Sequence, residues 1–378
     1  MSITDWQQQQ PGGPPGNGPS APAGWPSWLK LVIFLIILIA LGWVILLTAQ
    51  YCKTGDQISD LPGVPPPVAG LFGDASFEYV RSIDGLQNPM GVAVSQDGRI
   101  YVTEAGGERL VHIYNSRGRE LGSFAPPGTE APGRVPVYVA VSPSGDVYVS
   151  DRDSASIFVF SADGAPKGQV APPAGYEDWH PLGLAFDKTG NLYVTDVTPD
   201  KHRLMVLDLT PASSLGIDPT LIHARPEGSI LKLSFGTQGE EDRQFWFPNG
   251  IAVDSEGRIY VSDSNNGRMQ AFDKNGKLLF KIGRGMSRGD LSIPRGIAVD
   301  KDGRLLVVDT YRGAVQAYEV SKSTGSDSEG APVKFAGAFS ESIADGVFFL
   351  YPNGLALDGK DQIYVADRSN NRVQIWKY

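Results

Sequence analysis

Four histidines, His112, His180, His202 and His223, are the chain's whole supply of imidazole. A nitrogen-ligated metal centre would need several of them to converge. Only His180 directly precedes one of the repeated prolines described below, and a lone imidazole is expected to serve packing or the surface. Carboxylates recur more regularly, with Asp151, Asp196, Asp263, Asp309 and Asp367 in equivalent places. That spacing could suggest calcium or acid–base chemistry. A residue needed at several equivalent strand ends is better explained by bonds to backbone N–H groups of the following loop, with Arg268 and Arg372 as ion partners.

Residues that differ between equivalent places are better candidates for recognition. Between a repeated Pro and Gly stand Met90, Val137, Leu182, Asn249, Arg295 and Asn353, and in the second copy Tyr138 takes the glycine's place. Half apolar and half polar, this set is expected to ring an axial opening, where Arg295 could attract a carboxylate. Trp179-His180, Phe245-Trp246-Phe247, Tyr311-Arg312 and Phe348-Phe349-Leu350-Tyr351 should arrive at the same face. Of these, Phe245, Phe247 and Tyr351 are expected to wedge between sheets, and Trp179, Trp246 and Tyr311 to stand exposed. The candidate ligand-binding set is therefore Met90, Tyr138, Trp179, His180, Trp246, Asn249, Arg295, Tyr311 and Asn353. No catalytic residue, metal ligand or cofactor is assigned.

What positions these residues is a phrase that occurs six times: Pro-x-Gly-apolar-Ala-apolar, a Gly turn, a strand such as Ile-Tyr-Val, then usually Asp. The copies start at Pro89, Pro136, Pro181, Pro248, Pro294 and Pro352. Repetition at roughly 45 residues implies stacked units, since one unit cannot bury its own apolar faces. The fourth copy shows four strands, around residues 250–253, 258–262, 268–272 and 277–282, the last pair joined by Asn275-Gly276. Asn-Gly supplies the positive φ angles of a tight hairpin, so each unit is one propeller blade. The last copy ends on its third strand, Val373 to Tyr378, while an orphan strand, Phe77 to Ile83, precedes the first. Joining the two would close the ring and leave no free sheet edge.

These residues resemble the NHL-repeat family of six-bladed propellers. The likeness rests on Pro248-Asn249-Gly250-Ile251-Ala252-Val253-Asp254, Ile259-Tyr260-Val261-Ser262-Asp263 and Asn266-Gly267-Arg268-Met269-Gln270-Ala271-Phe272, and on Asp367, Asn370 and Arg372 to Ile375 in the last copy. It covers about residues 77 to 378. Glu104 in place of Asp, Tyr138 in place of Gly, an insertion around Pro199 to His202 and the loss of Asn before Arg312 are departures. The resemblance implies either a binding propeller or, as an alternative, an enzyme like the amidating lyases or gluconolactonases with an axial metal near Arg295, Asn249 and Asn353.

Ahead of the repeats, residues 31–49 carry no charge and approach the roughly 20 apolar residues that span a bilayer as a helix. Trp28 and Tyr51 suit the interfaces. The organisation expected is a Pro/Gln/Gly-rich tail over 1–27, a transmembrane helix over 28–51, a Pro-rich linker over 52–73 and a propeller over 74–378. The fold class expected is all-β, a six-bladed NHL-type propeller preceded by a single transmembrane helix. Lys30 and Lys53 flank the span evenly, and a short leading tail places the propeller on the extracytoplasmic side of the cell membrane. The net charge of −9 disfavours nucleic acid as a partner, because phosphate binding wants a basic field. A lone Cys52 permits no internal disulfide. The expectation is a non-catalytic scaffold for a protein, peptide or envelope ligand.

Overall fold

The computed structural model describes residues 77–127, 130, 133–209, 230–285, 287–321, 333–339 and 348–378. The expected tail, membrane helix and linker, and His223, lie outside the described residues. Among the described residues no helix is long and apolar enough to cross a membrane.

Twenty-four strands, β1 to β24 in chain order, form six antiparallel four-stranded sheets among the described residues. Five blades are built from consecutive strands. Their inner strands are β2 (Pro89–Val94), β6 (Pro136–Val141), β10 (Pro181–Phe186), β14 (Pro248–Val253) and β18 (Pro294–Val299). The sixth blade runs from its inner strand β22 (Leu355–Leu357) through β23 (Gln362–Asp367) and β24 (Arg372–Lys377) to β1 (Glu78–Asp84). Each inner strand packs on the next, and β22 returns to β2.

Closure is as expected from the chain ends. Glu78 pairs with Lys377, Tyr79 with Trp376 and Ile83 with Val373. The Tyr79 and Trp376 rings meet edge to face, with centroids 5.7 Å apart. The second strands are buried along nearly their whole length, Ile259–Asp263 at every residue, as a strand sandwiched between neighbouring sheets must be. Aromatic and aliphatic side chains interlock between blades, for example Phe235, Phe245 and Phe272.

The inner strands approach closely enough to require glycine. A Cβ at Gly183 would collide with the Asn249 carbonyl, and one at Gly250 with that of Arg295. A hydroxyl on the second strand adds a stitch. Thr103 donates to the Val137 carbonyl (2.7 Å) and accepts from the Gly91 N–H (2.8 Å). Ser150 and Thr195 bond in the same way to Leu182 and Asn249 of the next blade.

Candidate functional site

The end of the ring where inner strands begin is here named the upper face. Every blade delivers two segments to it, the lead-in ahead of the repeated Pro and the loop after the second strand. A buried acid ties them together. The N–H groups of Val135, His180, Trp246, Ser292 and Leu350 donate to Asp151, Asp196, Asp263, Asp309 and Asp367 at 2.6–2.8 Å. In the first blade the longer Glu104 reaches the Gln87 N–H at 2.6 Å, so this departure preserves the bond. The same acids also cap the following loop, as Asp151 does for the Ser154 N–H and Asp263 for the Asn266 amide. Arg268 and Arg372 close the pattern at 2.7 and 2.9 Å. Burial pushes Asp263 up, against the pull of Asn266, the Trp246 N–H and Arg268. These carboxylates are fully engaged in positioning loops.

The axis is closed rather than open. Tyr138, in the glycine's place, turns its ring inward, and its hydroxyl donates to Asn249 Oδ1. Burial raises its pKa. Arg295 Nη1 donates to Asn353 Oδ1 (3.0 Å), and Asn353 Nδ2 donates to the Met90 carbonyl (2.9 Å). Met90, Val137, Tyr138, Leu182, Asn249 and Asn353 are all buried. The expected opening is therefore a plug of mixed polarity, because one phenol fills the space that a sixth glycine would leave. Arg295 alone in this ring keeps partial exposure. Burial lowers its pKa; Tyr138 raises it and repulsion from Arg368 lowers it further. A guanidinium stays charged nonetheless, so the arrangement carries an electrostatic penalty.

Exposure sorts the aromatics in a way the sequence only half revealed. Trp246 (43%) and Tyr311 (71%) stand in solvent as expected. Trp179 does not: at 3% exposure it is packed against the second and third blades, a correction to the expected surface contact. Phe245 is buried as expected, whereas Tyr351, expected as a wedge, is 54% exposed beside Leu350. Tyr351 and Phe247 both precede the repeated Pro with positive φ, 50° and 61°. That left-handed kink throws the Tyr351 ring outward, while His202 meets the Phe247 ring edge on and holds it in place.

His180 is exposed, its Nδ1 lying 3.0 Å from the Asp178 carbonyl. His202 is buried and accepts the Phe247 N–H at 3.2 Å, and burial lowers its pKa. His112 sits between Glu104 and Glu120, far in sequence from the other imidazoles. Among the described residues no three His, Cys, Asp or Glu side chains are grouped to hold a metal. An open cleft lies at the other end of the ring, lined by Val94, Asp97, Val141, Phe186, Asp187 and Lys188. Its acids serve the tight turns there, as Asp187 does for the Thr189 and Asn191 N–H groups.

Arg368 escaped the sequence reading. It opens a short 3-10 turn, Arg368–Asn370, that lies against β2. The residues following the strand-end acid in the six copies are Ala105, Arg152, Val197, Ser264, Thr310 and Arg368. Aligning the copies at that place would have marked it as one of two charged exceptions.

The fold and the blade-to-blade bonding define a six-bladed β-propeller. Residues 245–272, 291–318 and 349–376 match the NHL repeat itself. The chain is 38% identical over 79 residues to Protein brain tumor of Drosophila melanogaster, covering 21% of this chain and 8% of that protein. It is 31% identical over 116 residues to B-box type zinc finger protein ncl-1 of Caenorhabditis elegans, covering 30% and 12% respectively. The chain thus spans only a small part of the curated relatives it matches. Virginiamycin B lyase from Staphylococcus aureus superposes with a TM-score of 0.50 at 13% identity, over 80% of this chain and 99% of that one. At that identity the likeness concerns the fold.

Proposed function

We propose that the chain is a membrane-anchored, non-catalytic binding propeller whose upper face takes a protein or peptide ligand on the extracytoplasmic side of the cell membrane. One observation carries the binding reading. Trp246, Tyr311, Leu350 and Tyr351 are all exposed on the upper face of three consecutive blades, the fourth to the sixth. Exposed aromatics gathered on one face mark contact surfaces, because they offer large apolar area at small entropic cost. Three hydrogen bonds to backbone carbonyls hold these segments in position. Asn265 N–H bonds the Trp246 carbonyl (3.0 Å), Thr310 Oγ1 bonds that of Pro352 (2.7 Å), and Ser369 N–H bonds that of Leu350 (3.0 Å).

The membrane part rests on the uncharged run over residues 31–49. The acidic balance supports a ligand other than nucleic acid. A photo-crosslinking residue at Tyr311 or Trp246 of the full chain in cells tests the binding reading, with Leu121 on an outer strand as control. Specific adducts at the first two positions and none at Leu121 are expected. Equal labelling at all three overturns the reading. Protease added to intact cells should digest the propeller; protection reverses the orientation.

A further inference from the structure

Arg295 and Arg368 differ from three other arginines of the upper face. Arg268, Arg312 and Arg372 each pair with the strand-end acid of their own blade. Among the described residues Arg295 and Arg368 have no carboxylate partner, and the Nε of each is buried with no hydrogen bond, whereas the Arg312 Nε, likewise without a hydrogen bond, stands 3.4 Å from Asp309. Two cations with orphaned donors, close enough to repel one another, are costly unless an anion joins them.

Their surroundings identify that anion. Both belong to segments attached to the start of the sixth blade. Arg295 reaches Asn353 directly, and Arg368 precedes Ser369, whose N–H holds the Leu350 carbonyl. Tyr351 lies between these two attachments and Leu350 at one of them, and Thr310 ties Tyr311 to the same stretch through Pro352. Two cations thus stand beside an apolar, aromatic rim. We propose that Arg295 and Arg368 form a carboxylate site that takes the free C-terminus of a peptide, whose last side chains lie on Tyr311, Leu350 and Tyr351.

Guanidinium groups match a carboxylate with paired, charge-assisted hydrogen bonds. A polynucleotide fits less well. It would follow a stripe of cations with stacking platforms, whereas here one axial and one loop cation stand in a chain with net charge −9. The site rests on the binding reading above and deepens it by naming the ligand's end group.

The test uses the full chain in nanodiscs and an array of hexapeptides with aromatic or aliphatic residues at the last two positions. Each peptide is made both as the free acid and as the C-terminal amide. Free acids should bind at least about tenfold more tightly than amides, the size of one lost charge-assisted contact. Arg295→Gln and Arg368→Gln should each abolish that preference, with the thermal midpoint measured alongside. Arg368 lies in a surface turn, so its variant tests the site even where Arg295→Gln fails to fold. Equal binding of acids and amides overturns the carboxylate site, and the binding reading survives if Tyr311→Ala still weakens both. Arginine-dependent binding of inorganic phosphate or of a short oligouridylate, without preference for acid peptides, also overturns it. No peptide binding while Tyr311 still crosslinks in cells removes the carboxylate site alone.

Discussion

The phenol of Tyr138 in the second blade donates a hydrogen bond to Oδ1 of Asn249 in the fourth, so one side chain joins blades that share no sheet. The other side-chain bonds between inner strands, Arg295 to Asn353 and Asn353 to the Met90 carbonyl, join neighbouring blades. In the second blade the glycine is replaced by a ring that fills the axis and gives the Asn249 amide a partner.

Tyr138→Phe removes that partner and keeps the ring. It leaves a buried amide oxygen unsatisfied, which costs about 1–3 kcal/mol. Tyr138→Ala also opens a cavity, and large-to-small core changes of this kind cost about 3–5 kcal/mol. Urea unfolding of the two variants should place them in that order. Equal, near-wild-type midpoints would show that the ring is dispensable as a plug.

Asp263 holds the Trp246 N–H, the Asn266 amide and Arg268 from a fully buried position. Asp263→Ala strands the Arg268 charge, and breaking a buried pair from one side costs about 3–5 kcal/mol. Trp246 should lose its fixed position as well, seen as raised fluorescence quenching by acrylamide at temperatures where the fold persists. Unchanged quenching would detach the acid from the positioning of the upper face.

The repeats were legible because their information is local and sixfold. Alternating apolar runs, Gly turns and Asn275-Gly276 dictate hairpins, and the orphan strand over residues 77–83 announced its partner at the other end of the chain. The site was less legible because exposure depends on which way a loop turns. Trp179 and Trp246 occupy comparable lead-ins, yet the first is packed inward and the second stands in solvent. Tyr138 was visible as an exception to glycine, but nothing in its neighbours told whether its ring would line the axis or block it. Arg368 is distinguished by what it lacks, a paired acid, and its neighbours in sequence, Asp367 among them, suggest the opposite. That acid is taken by Arg372 and Gln374 instead.

Ring closure depends on β1. Deleting residues 77–84 removes the outermost strand of the sixth blade and exposes the β24 edge, with the Trp376 face that Tyr79 covers. A bare edge of this kind pairs with other chains. The shortened chain should form higher-order species in size-exclusion chromatography and lose amide protection first in β24. A monodisperse product with intact protection there would mean that the sixth blade stands on three strands.

Two histidines should give the fold opposite responses to pH. Burial works against charge on His112, but the hydrogen bonds its ring donates to Glu104 and Glu120, together with their charges, outweigh it and hold the imidazole above its ordinary 6.5. A raised folded value stabilises fully below 6.5 and loses that contribution as pH rises through the folded value. His202 is the reverse case. Burial lowers its pKa while the ring accepts the Phe247 N–H, so its contribution is present above 6.5 and fades as pH falls through the lowered value. Stability from urea midpoints between pH 5 and 8.5 should therefore pass through a maximum near the ordinary histidine value. His112→Gln should flatten the alkaline limb, and His202→Gln, which keeps an acceptor, should flatten the acid one. If His112→Gln leaves the alkaline limb unchanged, the imidazolium between Glu104 and Glu120 is not what stabilises the first blade.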